Sequence, residues 1–180
     1  NRAMYSYDGI TWTTTSTVDN NWYAVTYGNN MFVAVAISGD GNRAMYSYDG
    51  ITWTTTYTVN NGWINVTYGN NMFVAVSYDG TNRVMYSRDE LQLTWTTTST
   101  VANQWYGVTY GNQMFVAIAY QGNAMYSYDG ITWTTTSTVA NGWHGVTYGN
   151  QMFVAVANAG DGNRAMYSYD GITWTTTSTV

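Results

Sequence analysis

A chain of 180 residues holds one domain of ordinary size, or a run of small units sharing one core. A hydrophobic fraction of 45% argues against disorder. The absence of lysine, 8% charged residues and a net charge of −5 leave no cationic surface for nucleic acid. Cysteine is absent, which excludes disulfides and thiolate metal sites, and no apolar run reaches the roughly 18 residues of a membrane-spanning helix.

Residues 1–18, NRAMYSYDGITWTTTSTV, recur letter for letter at 163–180, with variants starting at Asn42, Asn82 and Asn123. Between these copies a second motif appears four times: NWYAVTYGNNMFVAVA, GWINVTYGNNMFVAVS, QWYGVTYGNQMFVAIA and GWHGVTYGNQMFVAVA. Trp12, Trp53, Trp95, Trp133 and Trp174 follow one another at 41, 42, 38 and 41 residues, so the chain is four and a half repeats. Lengths vary only in the loop after the second motif and in the third-copy turn, where RDELQL replaces YDGI. Rigid elements keep their length while loops absorb change.

Taken in chain order, each repeat predicts four strands. NWYAVTY is the first, a Gly-Asn turn leads into MFVAVA, a Gly- and Asp-containing loop leads to AMYSY, and ITWTTTST closes the unit. Asp8-Gly9 predicts a type I′ hairpin turn, whose two central residues need positive φ. Both faces of MFVAVA are apolar, so that strand must be covered on both sides. Sheets stacked on like sheets do this, which predicts an all-β fold: a β-propeller of four-stranded antiparallel blades, about 41 residues each. The blades are expected at 19–59, 60–101, 102–139 and 140–180, after an N-terminal half blade at 1–18, all in a single repeat domain. A β-solenoid competes weakly, because its coils are shorter and do not need three hairpin-type turns.

The stretch Ser6-Tyr7-Asp8-Gly9-Ile10-Thr11-Trp12 resembles the Asp-box, or BNR repeat, of sialidase-like propellers, of the type found in bacterial and phage surface proteins. The motif is intact again at Ser47, Asp49, Gly50 and Trp53, at Ser127, Asp129, Gly130 and Trp133, and at Ser168, Asp170, Gly171 and Trp174. The third copy, Ser87 to Trp95, is longer and lacks the glycine. The resemblance implies fold, not activity: the Asp accepts backbone N–H groups across the loop between third and fourth strands, and the Trp packs beneath it.

The sialidase-like resemblance also raises an enzymatic reading. Such a site needs an arginine cluster, a Tyr–Glu pair and an acid/base Asp at non-equivalent positions. Glu90 is the one glutamate, and Arg2, Arg43, Arg83 and Arg164 recur at one repeat-equivalent loop position, leaving Arg88 as the singleton. Neither this pattern nor a carboxylate pair for glycoside hydrolysis is met, so no enzyme and no catalytic residue is expected. One histidine, His144, does not make a metal site, and no metal or cofactor is expected. The sequon Asn65-Val66-Thr67 falls inside a predicted strand.

Variation concentrates after the first-strand Trp, at Tyr23, Ile64, Tyr106 and His144 with neighbours such as Asn65, and in the loop between second and third strands. Tyr23, Asn65, Tyr106 and His144 are therefore the candidate ligand-binding residues, suited to a glycan or a protein. The bland alternative is unconstrained drift on a pure scaffold. A surface or secreted setting fits the low charge best.

The half repeat bears on assembly. Both termini carry the same half, so they do not complete each other, and the first hairpin would expose a strand edge. Three outcomes follow: an excerpt of a longer array, chains joined by strand exchange, or four blades closing alone with 1–18 as an appendage. Self-association through the half blade is the expected partner interaction.

Overall fold

The computed structural model describes residues 2–88, 93–160 and 162–177. The Glu90 reading, and most of the expanded third-copy turn, lie outside these residues. A two-stranded sheet of β1 (Ala3–Tyr5) and β2 (Thr13–Thr15) comes first. Four four-stranded sheets follow. Blade 1 is β3 (Trp22–Gly28), β4 (Met31–Ala36), β5 (Ala44–Ser47) and β6 (Thr54–Thr56). Blade 2 is β7 (Trp63–Gly69), β8 (Met72–Ser77), β9 (Val84–Ser87) and β10 (Thr96–Thr98). Blade 3 is β11 (Trp105–Gly111), β12 (Met114–Ala119), β13 (Asn123–Ser127) and β14 (Thr134–Ser137). Blade 4 is β15 (Gly142–Gly149), β16 (Met152–Ala159), β17 (Ala165–Ser168) and β18 (Thr175–Thr177). Every blade is an antiparallel meander in chain order, and the fold is the β-propeller type expected from the repeat.

Two local expectations need correction. The Asp8-Gly9 segment is not a two-residue turn: Gly9 has φ 73° but Asp8 is not left-handed, and the connection runs from Tyr5 to Thr13. The type I′ geometry sits instead between first and second strands, where Asn29 and Asn30 have φ 46° and 57° and the equivalent pairs repeat it. Asparagine tolerates this region because its short amide bonds locally. The fourth strand is likewise shorter than ITWTTTST, since Ile and Trp belong to the loop and the ladder begins at the threonines.

Blades stack through the first strands, β3 on β7, β7 on β11 and β11 on β15. Met31, Val33 and Val35 of blade 1 meet Trp63, Val66 and Phe73 of blade 2. Met72, Val74 and Val76 meet Trp105, Val108 and Phe115 in the same way, and Met114, Val116 and Ile118 meet Trp143 and Phe153. One interface is thus used three times, and each buried valine or phenylalanine in it contributes on the order of 1.5–3 kcal/mol of transfer free energy.

A tyrosine fits over a glycine at each junction. A Cβ added to Gly28, Gly69 or Gly111 would overlap the ring of Tyr68, Tyr110 or Tyr148 of the next blade. Among the described residues the stack is open at both ends. Its first face leaves Val25 62% exposed where Val66 is 5%, and its last leaves Val156 53% exposed where Val76 is fully covered.

Candidate functional site

A meander has two ends, and the chain divides its chemistry between them. One end carries the loops between third and fourth strands. There Asp8 accepts the amides of Ile10 and Thr11 at 2.8 and 2.7 Å, and Ser6 Oγ donates to the carboxylate while accepting the amide of Gly9. The same bonds form at Asp49 with Ser47, Asp129 with Ser127, and Asp170 with Ser168. The amide of Thr11, then that of Ile10, then the Ser6 hydroxyl hold Asp8 well below the usual carboxylate range. Those of Thr52, Ile51 and Ser47 bring Asp49 to about 2. Burial opposes the effect at Asp129 and Asp170, but the loop amides and the serine outweigh it, lowering the first and bringing the second to about 2.

Trp53 and Trp133 tuck under these loops and donate Nε1–H to the carbonyls of Gly50 and Gly130, at 3.2 and 3.3 Å. Trp174 packs against both the Ile118 and the Phe153 clusters. Trp12, in the half blade, is exposed. Threonines of the fourth strands reach across to the neighbouring loop: Thr15, Thr56, Thr98 and Thr136 donate to the carbonyls of Ile51, Leu93, Ile131 and Ile172. Leu93 thus takes the position that isoleucine holds elsewhere, despite the third-copy insertion.

The other end gathers the variable residues. In all four blades the first strand shifts register against the second just after its Trp, so that Tyr23, Ile64, Tyr106 and His144 are each the unpaired residue of a β-bulge. A bulge frees a side chain from the pleat and re-aims it. Tyr106 and His144 have ring centroids 5.0 Å apart, and Tyr106 also lies 6.1 Å from Tyr78 and 5.6 Å from Tyr120. Tyr78 and Tyr120 follow the second strands, so the two variable regions of the sequence converge on one aromatic cluster. Burial, then the nearby phenols of Tyr23, Tyr78 and Tyr120, push the Tyr106 hydroxyl up. Tyr23 is half exposed at the open end, and Asn65 donates Nδ2–H to the Tyr106 carbonyl at 3.4 Å.

The repeated arginines tie loops together. Arg43 Nε donates to the Gly39 carbonyl at 2.7 Å, Arg83 Nε to Gly80 at 2.9 Å and Arg164 Nε to Gly160 at 3.1 Å, while Arg2 pairs with Asp19 and donates to Asn21. The singleton Arg88 donates to the Asp129 carbonyl at 3.1 Å. Buried asparagines do related work that sequence reasoning passed over. Asn20, Asn61 and Asn141 donate Nδ2–H to the carbonyls of Asn42, Asn82 and Asn163. Their fixed place two residues before each first-strand Trp was the available signal. Among the described residues no group of three His, Asp or Glu side chains is placed to hold a metal ion.

No protein-family model matches the chain. No curated protein matches it either. Solved structures do. A catalytically inactive virginiamycin B lyase from Staphylococcus aureus with quinupristin superposes at TM-score 0.73 and 15% identity, over 92% of this chain and 58% of the lyase. YCF48 bound to D1 peptide gives 0.66 and 14%, over 94% and 58% of the two chains. The computationally designed Ika4 protein gives 0.66 and 13%, over 89% and 96%. The chain spans about half the length of another designed protein, Ika8, and under two thirds of the lyase and YCF48. At these identities the likeness is one of fold: this chain is built as a β-propeller.

Proposed function

We propose that this chain is a recognition and scaffolding module of Asp-box type, without catalytic function, that presents the Tyr106–His144 cluster to a ligand and assembles through its half blade. The observation that carries the reading is the bulge. It recurs in every blade at one of the two places where the repeats vary, while the residue spacing around it stays constant. Variation aimed by a fixed backbone device is how repeat proteins tune binding. The ionisable groups support the non-catalytic part, since the Asp-box carboxylates serve backbone amides and the repeated arginines serve loop carbonyls. YCF48, which shares the fold, is bound to a peptide, so a protein ligand is consistent with this architecture. A glycan is the second reading, favoured by the tilted aromatic pair at one end of the meanders.

The test is binding of the labelled chain to parallel glycan and peptide arrays, with Tyr106→Ala and His144→Ala beside it. The reading expects a defined ligand class and a loss of about tenfold or more in affinity for each variant, equivalent to about 1.4 kcal/mol, with each variant still folded by circular dichroism at the assay temperature. Binding that survives both substitutions would place the ligand elsewhere.

A further inference from the structure

The two ends of the stack carry the two complementary rows of the interface that joins its blades. Inside the chain, the Met-Val-Val row of each second strand covers the Trp, Val and Phe of the following blade. At the ends both rows lack a partner among the described residues. Met152 and Val154 of blade 4 are half-buried and Val156 is exposed, whereas Met72, Val74 and Val76 are sealed. On blade 1, Trp22 and Phe32 are half-buried and Val25 is exposed, whereas Trp63, Val66 and Phe73 are sealed.

The finer fittings match as well. Gly149 has nothing within 4 Å of an added Cβ, although its three counterparts each seat a tyrosine, and Tyr27, the counterpart of those tyrosines, stands exposed on the first face. A Cβ added at Gly130 or Gly171 would meet Met72 or Met114 of the preceding blade, while one at Gly50 would have Phe32 of its own blade as its nearest neighbour.

The half blade marks the same vacancy. Thr15 donates to Ile51 as the other fourth strands do to their neighbours, so β1 and β2 occupy the outer half of a blade preceding blade 1. Where its inner half would lie is a cleft of about 570 Å³, lined by Met4, Tyr5, Trp12, Val25, Phe32 and Gly50 among others. Among the described residues β1 pairs with β2 alone.

We propose that the occupant of this cleft is a second copy of the chain, whose β15 and β16 enter head-to-tail, seat the first copy's Tyr27 over Gly149 and bring Met152 and Val154 against Gly50. β16 would then pair with β1 as it does with β17: Phe153 opposite Ser6, Val154 opposite Tyr5, Ala155 opposite Met4 and Val156 opposite Ala3. Residues 1–18 and 163–180 are identical, so either hairpin completes the joint blade and the other is released. Such a contact is heterologous and repeats head-to-tail, ending where the rotation closes a ring. This deepens the assembly reading above and is independent of the Tyr106 ligand.

The test is mass in solution, by sedimentation of the full chain and of Val25→Arg and Val154→Arg. Both side chains lie on the open faces, so the substitutions leave the packing inside one chain intact, which melting checks. Wild type is expected at a multiple of 20.1 kDa and each variant at 20.1 kDa. An equimolar mixture of the two variants is expected to form a one-to-one pair, since one good face remains on each. Gly149→Ala serves as a second variant with an undisturbed fold and weakened assembly. A wild type at 20.1 kDa, a variant that keeps the multiple, or a mixture that stays monomeric would overturn the proposal. In each of those cases array binding at Tyr106 still reports separately on the ligand reading.

Discussion

Asp8, Asp49, Asp129 and Asp170 each satisfy two backbone amides that no strand can reach, with a serine bonded alongside. The serine is buried in blades 1, 3 and 4, so its removal leaves a carboxylate and an amide short of a partner. Ser127→Ala is expected to cost about 1–2 kcal/mol, read as a drop in the urea midpoint of tryptophan fluorescence. Ser6→Ala, in the exposed half blade, is expected to cost less. The carboxylates also set an acid limit. Asp49 and Asp170 titrate near 2 in the folded chain against an ordinary 3.8, so between these values the unfolded chain binds more protons. Stability from this source is complete above about pH 4 and is lost as pH falls toward 2. The urea midpoint should therefore hold from pH 7 to 5 and decline below 4, and a flat profile down to pH 2 would contradict the assigned bonds.

At the scale of elements, the turn between first and second strands sets the hairpin register in each blade. Asn70 and Asn71 both hold left-handed φ, at 47° and 56°. Asn71→Gly is expected to be neutral or stabilising, while Asn71→Val is expected to cost about 1–2 kcal/mol in the same denaturation measurement. Strand content and order were legible in the sequence because spacing within the repeat is constant and the second strand is apolar on both faces. The turn types were misassigned because Asp-Gly carries the stronger hairpin signal in isolation. In this fold its carboxylate is drawn to the amides of the residues after Gly9, which opens the connection into a longer loop. The bulge at Tyr23, Ile64, Tyr106 and His144 was legible only as variability. A register shift is a relation between two strands, and neither strand shows it alone.

At the scale of the molecule, the sequence makes repeats look alike that the fold makes unequal. Val25 and Val66 are each followed by Thr-Tyr-Gly-Asn-Asn-Met, yet one faces a cleft and the other a blade. The glycines that end the first strands, Gly28, Gly69, Gly111 and Gly149, differ in the same way. Gly111→Ala would force the Tyr148 ring out of its seat and is expected to cost about 1–3 kcal/mol, whereas Gly149→Ala, compared at concentrations where both chains are dissociated, is expected to leave the melting temperature unchanged. Equal effects at both positions would contradict the open stack.

The measurement that bears most directly on the account is sedimentation equilibrium of the unaltered chain from low to high concentration. Two matching open faces predict a mass that settles at an integral multiple of 20.1 kDa. A mass of 20.1 kDa throughout would mean that the faces do not meet, and would contradict it.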